Sequence, residues 1–283
     1  MSFFDSEFSN EEEYDLPDEN VEEELASCKK ILDSGYVFDS VERIEELIQV
    51  CMDIDRYEDA LFLLDRFLEI FPYNSEYWLK KGIVLNGLFR FSEALLAYEQ
   101  SLSLNPNDIE TLIDKSATEE NLGLYDQSQE SLEKVLQLDP ENDDAMFSLG
   151  LLFQRRGQLN KAIECFLKVV ARDPEYSEVY YELGFCYENS ARLDKALESY
   201  DKFLELDPYN PNGWYNRGIV LVKMEKLEQG INSYDLAISI RENFSSAWFN
   251  KGNALADLGR LQEAIQCFKK SFDLDKEDET AVY

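Results

Sequence analysis

The residues that could do chemistry in this chain are mostly carboxylates, because 59 Asp and Glu stand against 27 Lys and Arg. Carboxylates bind Ca²⁺ or act in pairs as general acid and base. Two acidic runs, 53–55 and 273–279, could be mistaken for calcium loops, but neither combines glycine at loop position six with glutamate at position twelve. Carboxylate pairs are common in so acidic a chain, so their proximity says nothing about catalysis. We expect neither a metal site nor an active site here.

The other reactive side chains do not form a catalytic group. The chain has no histidine, which removes the commonest general base and the commonest neutral metal ligand. The glycine-spaced segment 82–88 lacks the lysine of a phosphate-binding loop. The cysteines are odd in number and form no C-x-x-C pair, so they are predicted to be reduced structural thiols: Cys28, Cys51, Cys165, Cys186 and Cys267. The sequence predicts a non-catalytic protein without a cofactor.

Charge restricts the partners. The formal net charge is -32, so the average surface repels nucleic acid and anionic membranes and attracts a basic protein or peptide. No run of 18 apolar residues is present, and the acidic N-terminus does not fit a secretory signal. These features predict a cytoplasmic protein whose partner is a basic protein or peptide, not a nucleic acid or a membrane.

The elements that position these residues follow from an internal repeat. Prolines recur every 34 residues, at Pro72, Pro106, Pro140, Pro174 and Pro208. If they occupy position 32, seven repeats follow without a gap: 41–74, 75–108, 109–142, 143–176, 177–210, 211–244 and 245–278. Each repeat contains two stretches with apolar residues at helical spacing. We predict two short antiparallel helices per repeat, called here the A helix and the B helix.

Small residues indicate close packing of these helices. Glycine occupies position 8 of five repeats, although glycine in a helix costs about 1 kcal/mol relative to alanine. Alanine occupies position 20 of five repeats, and we expect it to lie opposite the glycine. We expect the proline to end the B helix. The residues concerned are Gly82, Gly150, Gly184, Gly218 and Gly252, and Ala60, Ala94, Ala162, Ala196 and Ala264.

These residues resemble the tetratricopeptide repeat pattern W-x-x-L-G-x-x-Y, then A-x-x-x-F, then P. Repeat 177–210 is among the closest, with Leu183-Gly184, Tyr187, Ala196, Tyr200 and Pro208. The resemblance covers 41–278 and implies an all-α fold, a right-handed superhelical α-solenoid of seven consecutive helix-turn-helix repeats that binds proteins. Repeat 109–142 departs most from the pattern, with Ser116, Glu119 and Ser128 at packed positions. We expect it to be the softest joint.

The flanking segments have their own predictions. Residues 1–20 are expected to be an acidic disordered tail, free or docked on a partner or on the chain's own groove. Residues 21–40 are expected to form an N-terminal capping helix and linker, with Leu25, Cys28, Ile31 and Leu32 on its apolar face. Residues 279–283 are expected to begin a further repeat or to fray. Because a repeat buries its apolar face only against a neighbour, we expect a second chain or a longer protein to cover the last repeat.

The resemblance also implies a concave groove lined by the A helices, faced by positions 2, 5, 6, 9, 12 and 13. Those positions hold thirteen acids and three bases, and twelve of the acids precede residue 211. The last two repeats carry asparagines instead, and stacked amides could hold a peptide backbone of any sequence. The predicted peptide-binding residues are Asp144, Phe147, Glu178, Tyr181, Glu182, Tyr215, Asn216, Phe249, Asn250 and Asn253.

The leading hypothesis is a scaffold or adaptor that binds a basic or mixed basic and apolar peptide or protein surface in this groove. The family's clamp for the terminal carboxylate of heat-shock chaperones is not expected, because positions 2 and 5 carry no base in any repeat. One alternative is a structural subunit that forms homo-oligomers through its C-terminal end. Another is the repeat region of a larger enzyme or receptor continuing beyond residue 283.

Overall fold

The computed structural model describes residues 18–34 and 37–281, with side chains described over 21–34 and 37–274. Within these ranges all the regular structure is helical. The predicted disordered tail lies outside the described residues, apart from 18–20, which begin the first helix. Residues 282–283 of the predicted further repeat also lie outside them. The expectation of an all-α repeat protein is confirmed.

The helices follow the 34-residue period, and every A helix begins at position 1 of its repeat. The first helix, α1, spans Asp18–Ser34, and a 3₁₀ turn spans Phe38–Ser40. The A helices are Val41–Asp53 (α2), Ser75–Gly87 (α4), Ile109–Asn121 (α6), Asp143–Arg155 (α8), Ser177–Asn189 (α10), Pro211–Lys223 (α12) and Ser245–Asp257 (α14). The B helices are Tyr57–Ile70 (α3), Phe91–Leu104 (α5), Tyr125–Leu138 (α7), Leu159–Arg172 (α9), Leu193–Leu206 (α11), Leu227–Ile240 (α13) and Leu261–Ala281 (α15).

The chain divides into two compact units, Met1–Leu124 and Tyr125–Tyr283. We call them the N-terminal unit and the C-terminal unit. The division falls between α6 and α7, inside repeat 109–142. The repeat that departs most from the sequence pattern is therefore the one in which the division lies.

Helix α1 takes the place predicted for a cap, although it begins three residues earlier than expected. Its residues Val21, Leu25, Cys28 and Leu32 are buried in the core of the N-terminal unit, so they cover the apolar side of the first repeat. Charged contacts support this packing, with Glu22 of α1 accepting from the Arg56 guanidinium at 2.7 Å.

The turn between the two helices has the same backbone geometry in every repeat. Position 15 adopts a left-handed conformation in all seven repeats, and the next residue donates its backbone N–H to the carbonyl at position 11, as Arg192 does to Tyr187 at 2.9 Å. This is a Schellman-type helix end, which glycine favours. Glycine is present in only three of the repeats: the position 15 residues are Asp55, Phe89, Gly123, Gly157, Ala191, Glu225 and Gly259.

The close packing inside each repeat involves an aromatic ring that the sequence interpretation did not assign. A Cβ atom added to Gly184 would lie 2.6 Å from the Tyr200 ring of the B helix, and one added to Gly218 would lie 2.5 Å from the Tyr234 ring. Position 20 also faces position 8 in repeat 211–244, since a Cβ added to Gly230 would lie 3.2 Å from the Gly218 carbonyl oxygen. The glycine at position 8 therefore makes room for the ring at position 24 as well as for the residue at position 20.

The B helix ends two residues before the proline in every repeat that has one, as expected, but the proline is not required for this end. Repeat 211–244 has Glu242 in place of the proline, yet α13 ends at Ile240, the same position as in the repeats with proline. The indole N–H of Trp248 donates to the Glu242 carbonyl at 3.0 Å, just as Trp214 donates to the Pro208 carbonyl at 2.9 Å. The next A helix thus fixes this turn whether or not proline is present.

The last B helix differs from the others in length. Helix α15 spans 21 residues, compared with 14 for α13. It continues through 279–281, where the sequence suggested a further repeat or a frayed end. Position 32 is Lys276 here, so no proline opposes the continuation, and no A helix among the described residues follows to impose the turn.

Contacts with neighbouring side chains explain the basic residues at position 7, where the family pattern has leucine. Arg217 lies over the Trp214 ring, 5.7 Å from its centroid, and its guanidinium donates to Asp201 at 2.5 Å. Two further repeats share this arrangement. Lys81 lies over the Trp78 ring and pairs with Asp65. Lys251 lies over the Trp248 ring and pairs with Asp235. The base therefore joins the A helix of one repeat to the B helix of the preceding one.

The left-handed turn generates a stability prediction. Ala191→Gly should raise the free energy of unfolding by about 0.5–1 kcal/mol, because the left-handed conformation costs a non-glycine residue about 1–2 kcal/mol and glycine's greater freedom when unfolded offsets part of this. The opposite change at the equivalent position, Gly157→Ala, should lower it by a similar amount, since an added Cβ meets nothing within 4 Å. Urea denaturation followed by circular dichroism measures both, and a loss of stability in Ala191→Gly would contradict the prediction.

Candidate peptide-binding face

All ten residues predicted to bind a peptide lie in the C-terminal unit, on the A helices α8, α10, α12 and α14. Side-chain hydrogen bonds join each of these four A helices to the next: α8 to α10, α10 to α12, and α12 to α14. The four helices therefore present one side lined by positions that recur every 34 residues. We call this side the A-helix face.

The centre of the A-helix face is a pair of equivalent tyrosine and asparagine contacts. The Asn216 side-chain N–H donates to the Tyr181 hydroxyl at 2.9 Å, and the Asn250 side-chain N–H donates to the Tyr215 hydroxyl at 2.9 Å. In each case an asparagine at position 6 contacts a tyrosine at position 5 of the preceding repeat. We call these contacts the Tyr–Asn pairs. All four side chains are half-buried.

Each Tyr–Asn pair retains hydrogen-bonding capacity for a ligand. An asparagine amide has two N–H donors and one oxygen acceptor, and a tyrosine hydroxyl has one donor as well as its acceptor lone pairs. Each pair therefore offers an acceptor and two donors beyond its internal bond. A peptide bond carries one N–H and one carbonyl, so such a pair can satisfy it without reading the side chain.

The tyrosines stay neutral and so keep their donor hydrogens. Burial raises the pKa of Tyr181, and the hydrogen bond from Asn216 opposes this shift in part. Burial likewise raises the pKa of Tyr215, opposed by the bond from Asn250. Both phenols are therefore protonated at neutral pH.

The aromatic residues at position 5 are turned partly into their own repeats. The Tyr181 ring packs against Tyr200 at 5.9 Å and Phe203 at 5.2 Å between centroids. The half-buried Phe147 ring makes similar contacts, whereas the Phe249 side chain is 51% exposed. Of the aromatic residues predicted to bind a peptide, Phe147 and Tyr181 thus mainly support the core, and Phe249 offers the most accessible ring.

The predicted acids of this face have two kinds of setting. Asp144 and Glu178 at position 2 are exposed. Glu182 is half-buried and accepts a hydrogen bond from the Gln154 side chain at 2.7 Å. Burial raises the pKa of Glu182, while the bond from Gln154 lowers it. Asn253 is exposed on α14. The exposed carboxylates are available to a cation, and Glu182 already has a partner.

Sequence reasoning missed two features of the face. Lys223 donates to Glu188 at 2.7 Å, and the Tyr200 hydroxyl donates to the same carboxylate at 3.5 Å. Lys223, at groove position 13 of α12, is therefore already paired. The other feature is Phe185 at position 9, whose side chain is 41% exposed. The 34-residue register was the signal for both, since positions 9, 12 and 13 were already expected to face the groove.

Other kinds of site are not found in the part of the chain that the structure describes. No group of three or more acidic or cysteine side chains there is arranged to hold a metal ion. None of the helices in the same ranges combines the length and the apolar character needed to cross a membrane. All five cysteines are buried and unpaired, and burial raises the pKa of Cys51 to about 11 and that of Cys186 to about 12. Such thiols are unreactive at neutral pH.

This architecture defines a helical repeat protein whose A helices in the C-terminal unit line one side, joined by side-chain hydrogen bonds. Family models described as tetratricopeptide repeat match residues 75–108 and 109–142, 131–164 and 199–232, 149–211, and 245–278. Together these matches cover more than half of the chain, which belongs to the tetratricopeptide repeat family. The comparison with curated proteins gave no match.

Solved structures with the same fold include MamA, at 28% identity and a TM-score of 0.56, covering 59% of this chain and 97% of that one. A tetratricopeptide repeat protein from Parabacteroides merdae aligns over 83% of this chain and 93% of its own, with a TM-score of 0.65 at 17% identity. YrrB, described as a TPR protein with an unusual peptide-binding site, is 22% identical, with a TM-score of 0.55 over 65% of this chain and 95% of that one. The last two likenesses show the fold alone.

The Tyr–Asn pairs generate a prediction about coupling. In a double-mutant cycle, Tyr215→Phe and Asn250→Ala should show a coupling energy of about 0.5–1.5 kcal/mol in unfolding free energy, the usual net value of one hydrogen bond. Tyr181→Phe combined with Asn250→Ala should be additive, because these two side chains are not bonded to each other. Urea denaturation of the single and double variants measures both cycles. Equal coupling in the two cycles would contradict the paired geometry.

Proposed function

We propose that this protein is a non-catalytic scaffold or adaptor that binds an extended peptide segment of a partner along the A-helix face of its C-terminal unit. The peptide is basic, or mixed basic and apolar. The observation that carries the proposal is the repetition of the Tyr–Asn pair, Tyr181 with Asn216 and Tyr215 with Asn250, in consecutive repeats. Membership of a family of protein-interaction repeats supports it.

The repeated pair favours an extended ligand. Equivalent polar groups on successive A helices present the same donors and acceptors at regular intervals, and an extended backbone presents its N–H and carbonyl groups at regular intervals too. Exposed carboxylates at position 2, Asp144 and Glu178, lie on the same face and attract a basic side chain. The exposed Phe185 and Phe249 rings supply apolar contact.

The absence of histidine supports the non-catalytic part of the proposal. A cytoplasmic location, in which thiols stay reduced, fits five buried cysteines without a disulfide.

Binding is tested with peptides selected from a random display library against the wild-type protein. Asn216→Ala combined with Asn250→Ala should weaken the selected peptides at least about tenfold, because two bonds to the peptide backbone are lost at once. The loss should be similar for peptides of different sequence, since the amides contact backbone. Isothermal titration calorimetry measures the dissociation constants.

The matched control is Asn232→Ala combined with Asn243→Ala, which removes two exposed asparagines of repeat 211–244 outside the A-helix face positions. This variant should bind like the wild type. Added salt should weaken binding of the basic peptides, because their attraction to exposed carboxylates is screened. Equal affinities in both double variants would rule out the proposed role of the Tyr–Asn pairs.

One observation favours self-association as a second candidate function. In the last repeat, Ile265 at position 21 is 46% exposed and Phe272 at position 28 is 58% exposed. The equivalent residues of the preceding repeat, Ile231 and Ile238, are 4% and 8% exposed. The side of α15 that a following repeat would cover is therefore accessible, and a second copy of the chain could cover it.

Self-association predicts a change in mass with concentration. Ile265→Glu combined with Phe272→Glu should shift the wild-type oligomer to monomer in sedimentation equilibrium, because it places two charges on the apolar contact. Leu167→Glu is a control for a single added charge, since Leu167 on α9 is also 46% exposed. A wild-type protein that stays monomeric up to its solubility limit would exclude this candidate.

A further inference from the structure

A carboxylate without a partner lies in the N-terminal unit, away from the residues used above. Asp114, at position 6 of α6, is half-buried, and among the described residues no cation or hydrogen-bond donor contacts its carboxylate. Other half-buried carboxylates at groove positions have partners: Glu45 accepts from the Tyr77 hydroxyl, and Glu182 accepts from Gln154. Burial without a partner is costly for a charged group.

A second unsatisfied polar group belongs to α5, the helix that packs against α6. Tyr98 on α5 is fully buried, and its hydroxyl makes no hydrogen bond of ordinary length and angle to the residues that the structure describes. Burial, and after it the charge of Asp114, raises the pKa of Tyr98. Weak hydrogen bonding with the Thr118 side chain opposes that shift. Thr118 lies one helical turn after Asp114 on α6, and its hydroxyl donates to the Asp114 backbone carbonyl at 3.0 Å.

The surroundings select an organic cation over a metal ion. Burial raises the pKa of Asp114 to about 6, and the charges of Glu110 and Asp108 add to this. Asp108 is already engaged, because its carboxylate caps α6 by accepting from the Thr111 backbone N–H at 3.0 Å. No metal-binding group of three acids exists among the described residues. A cation with N–H donors can instead satisfy one carboxylate directly.

The cations on neighbouring positions are occupied. Lys80 on α4 pairs with Glu76 at 3.2 Å, and Lys115 on α6 pairs with Glu119. Neither is placed to neutralise Asp114 in the structure. The missing positive charge would therefore come from outside the chain.

We propose that Asp114 receives the ammonium or guanidinium group of a lysine or arginine side chain from a bound protein partner. Tyr98 acts as a positioning residue, because its hydroxyl is the donor available to orient the ionised carboxylate. The proposal rests on the proposed function in so far as the cation belongs to a protein partner. The basic side chain of the partner thus binds at Asp114, which is not part of the Tyr–Asn pairs.

Octalysine with a fluorescent label is the probe, and fluorescence anisotropy measures its affinity for the full chain. Asp114→Asn should weaken binding about tenfold at pH 7.5, because it removes a carboxylate that is poorly solvated and hence strongly attracted to the cation. Glu99→Gln, which removes one exposed charge from α5 of the same unit, should change the affinity less than about twofold. The same peptide with acetylated lysines should not distinguish the two variants.

The pH dependence separates a specific site from general attraction. Because folding raises the pKa of Asp114, its carboxylate is ionised above about 6 and loses its charge below that value. Wild-type binding should therefore weaken from pH 7.5 to 5.5, and the Asp114→Asn variant should lose most of this dependence. Tyr98→Phe should reduce the pH dependence without loss of stability, since it removes a buried hydroxyl that has no partner.

Carbon-13 NMR of the Asp114 carboxyl gives a readout independent of affinity. Octalysine should lower its apparent pKa by about one unit or more, because a bound cation favours the ionised form. The double variant Asn216→Ala, Asn250→Ala should show the same shift, so failure of the proposed function would leave this result intact. An unchanged Asp114 pKa, or equal affinities for Asp114→Asn and Glu99→Gln, would overturn the proposal.

Discussion

The structure depends on how closely the A and B helices of one repeat approach each other. A glycine at position 8 accompanies an aromatic ring at position 24 in five repeats, as Gly184 accompanies Tyr200. In the other two repeats position 8 is larger and position 24 is leucine, as in the pair Ile48 and Leu64, both buried. The two positions vary together because the volume between the helices is fixed. A hairpin of constant thickness is what allows identical contacts to recur every 34 residues.

This constraint explains how much the sequence could predict. The proline spacing was enough to place the repeats, because every A helix begins at position 1. It did not reveal what ends a B helix, since α13 ends at Ile240 without a proline, where Trp248 holds the turn. That contact joins two repeats, and the pattern within one repeat does not contain it. The same limit applies to Arg217, whose basic side chain at an apolar position is explained by Trp214 and by Asp201 of the preceding repeat.

The candidate site, too, was predicted only in part from the sequence. The register correctly brought Asn216 and Asn250 to the same place on successive A helices, but it could not show that each amide already donates to a tyrosine hydroxyl. Nor could it show that the Tyr181 ring, predicted to bind a peptide, packs against its own B helix. Periodicity identifies which side of a helix a residue occupies. Whether its polar atoms are already satisfied depends on neighbours that lie 34 or 35 residues away.

Exposure and pairing distinguish the acids on groove positions from one another. In a chain of net charge -32 an acid on a groove position means little by itself. Most such acids here are exposed to water, which solvates them, or are paired, as Glu188 is with Lys223. Asp114 is neither fully solvated nor paired, and the buried Tyr98 hydroxyl on the neighbouring helix α5 is also unsatisfied. Buried polar groups of this kind raise the free energy of the unliganded protein, so a ligand that satisfies them would gain affinity that an exposed carboxylate cannot supply.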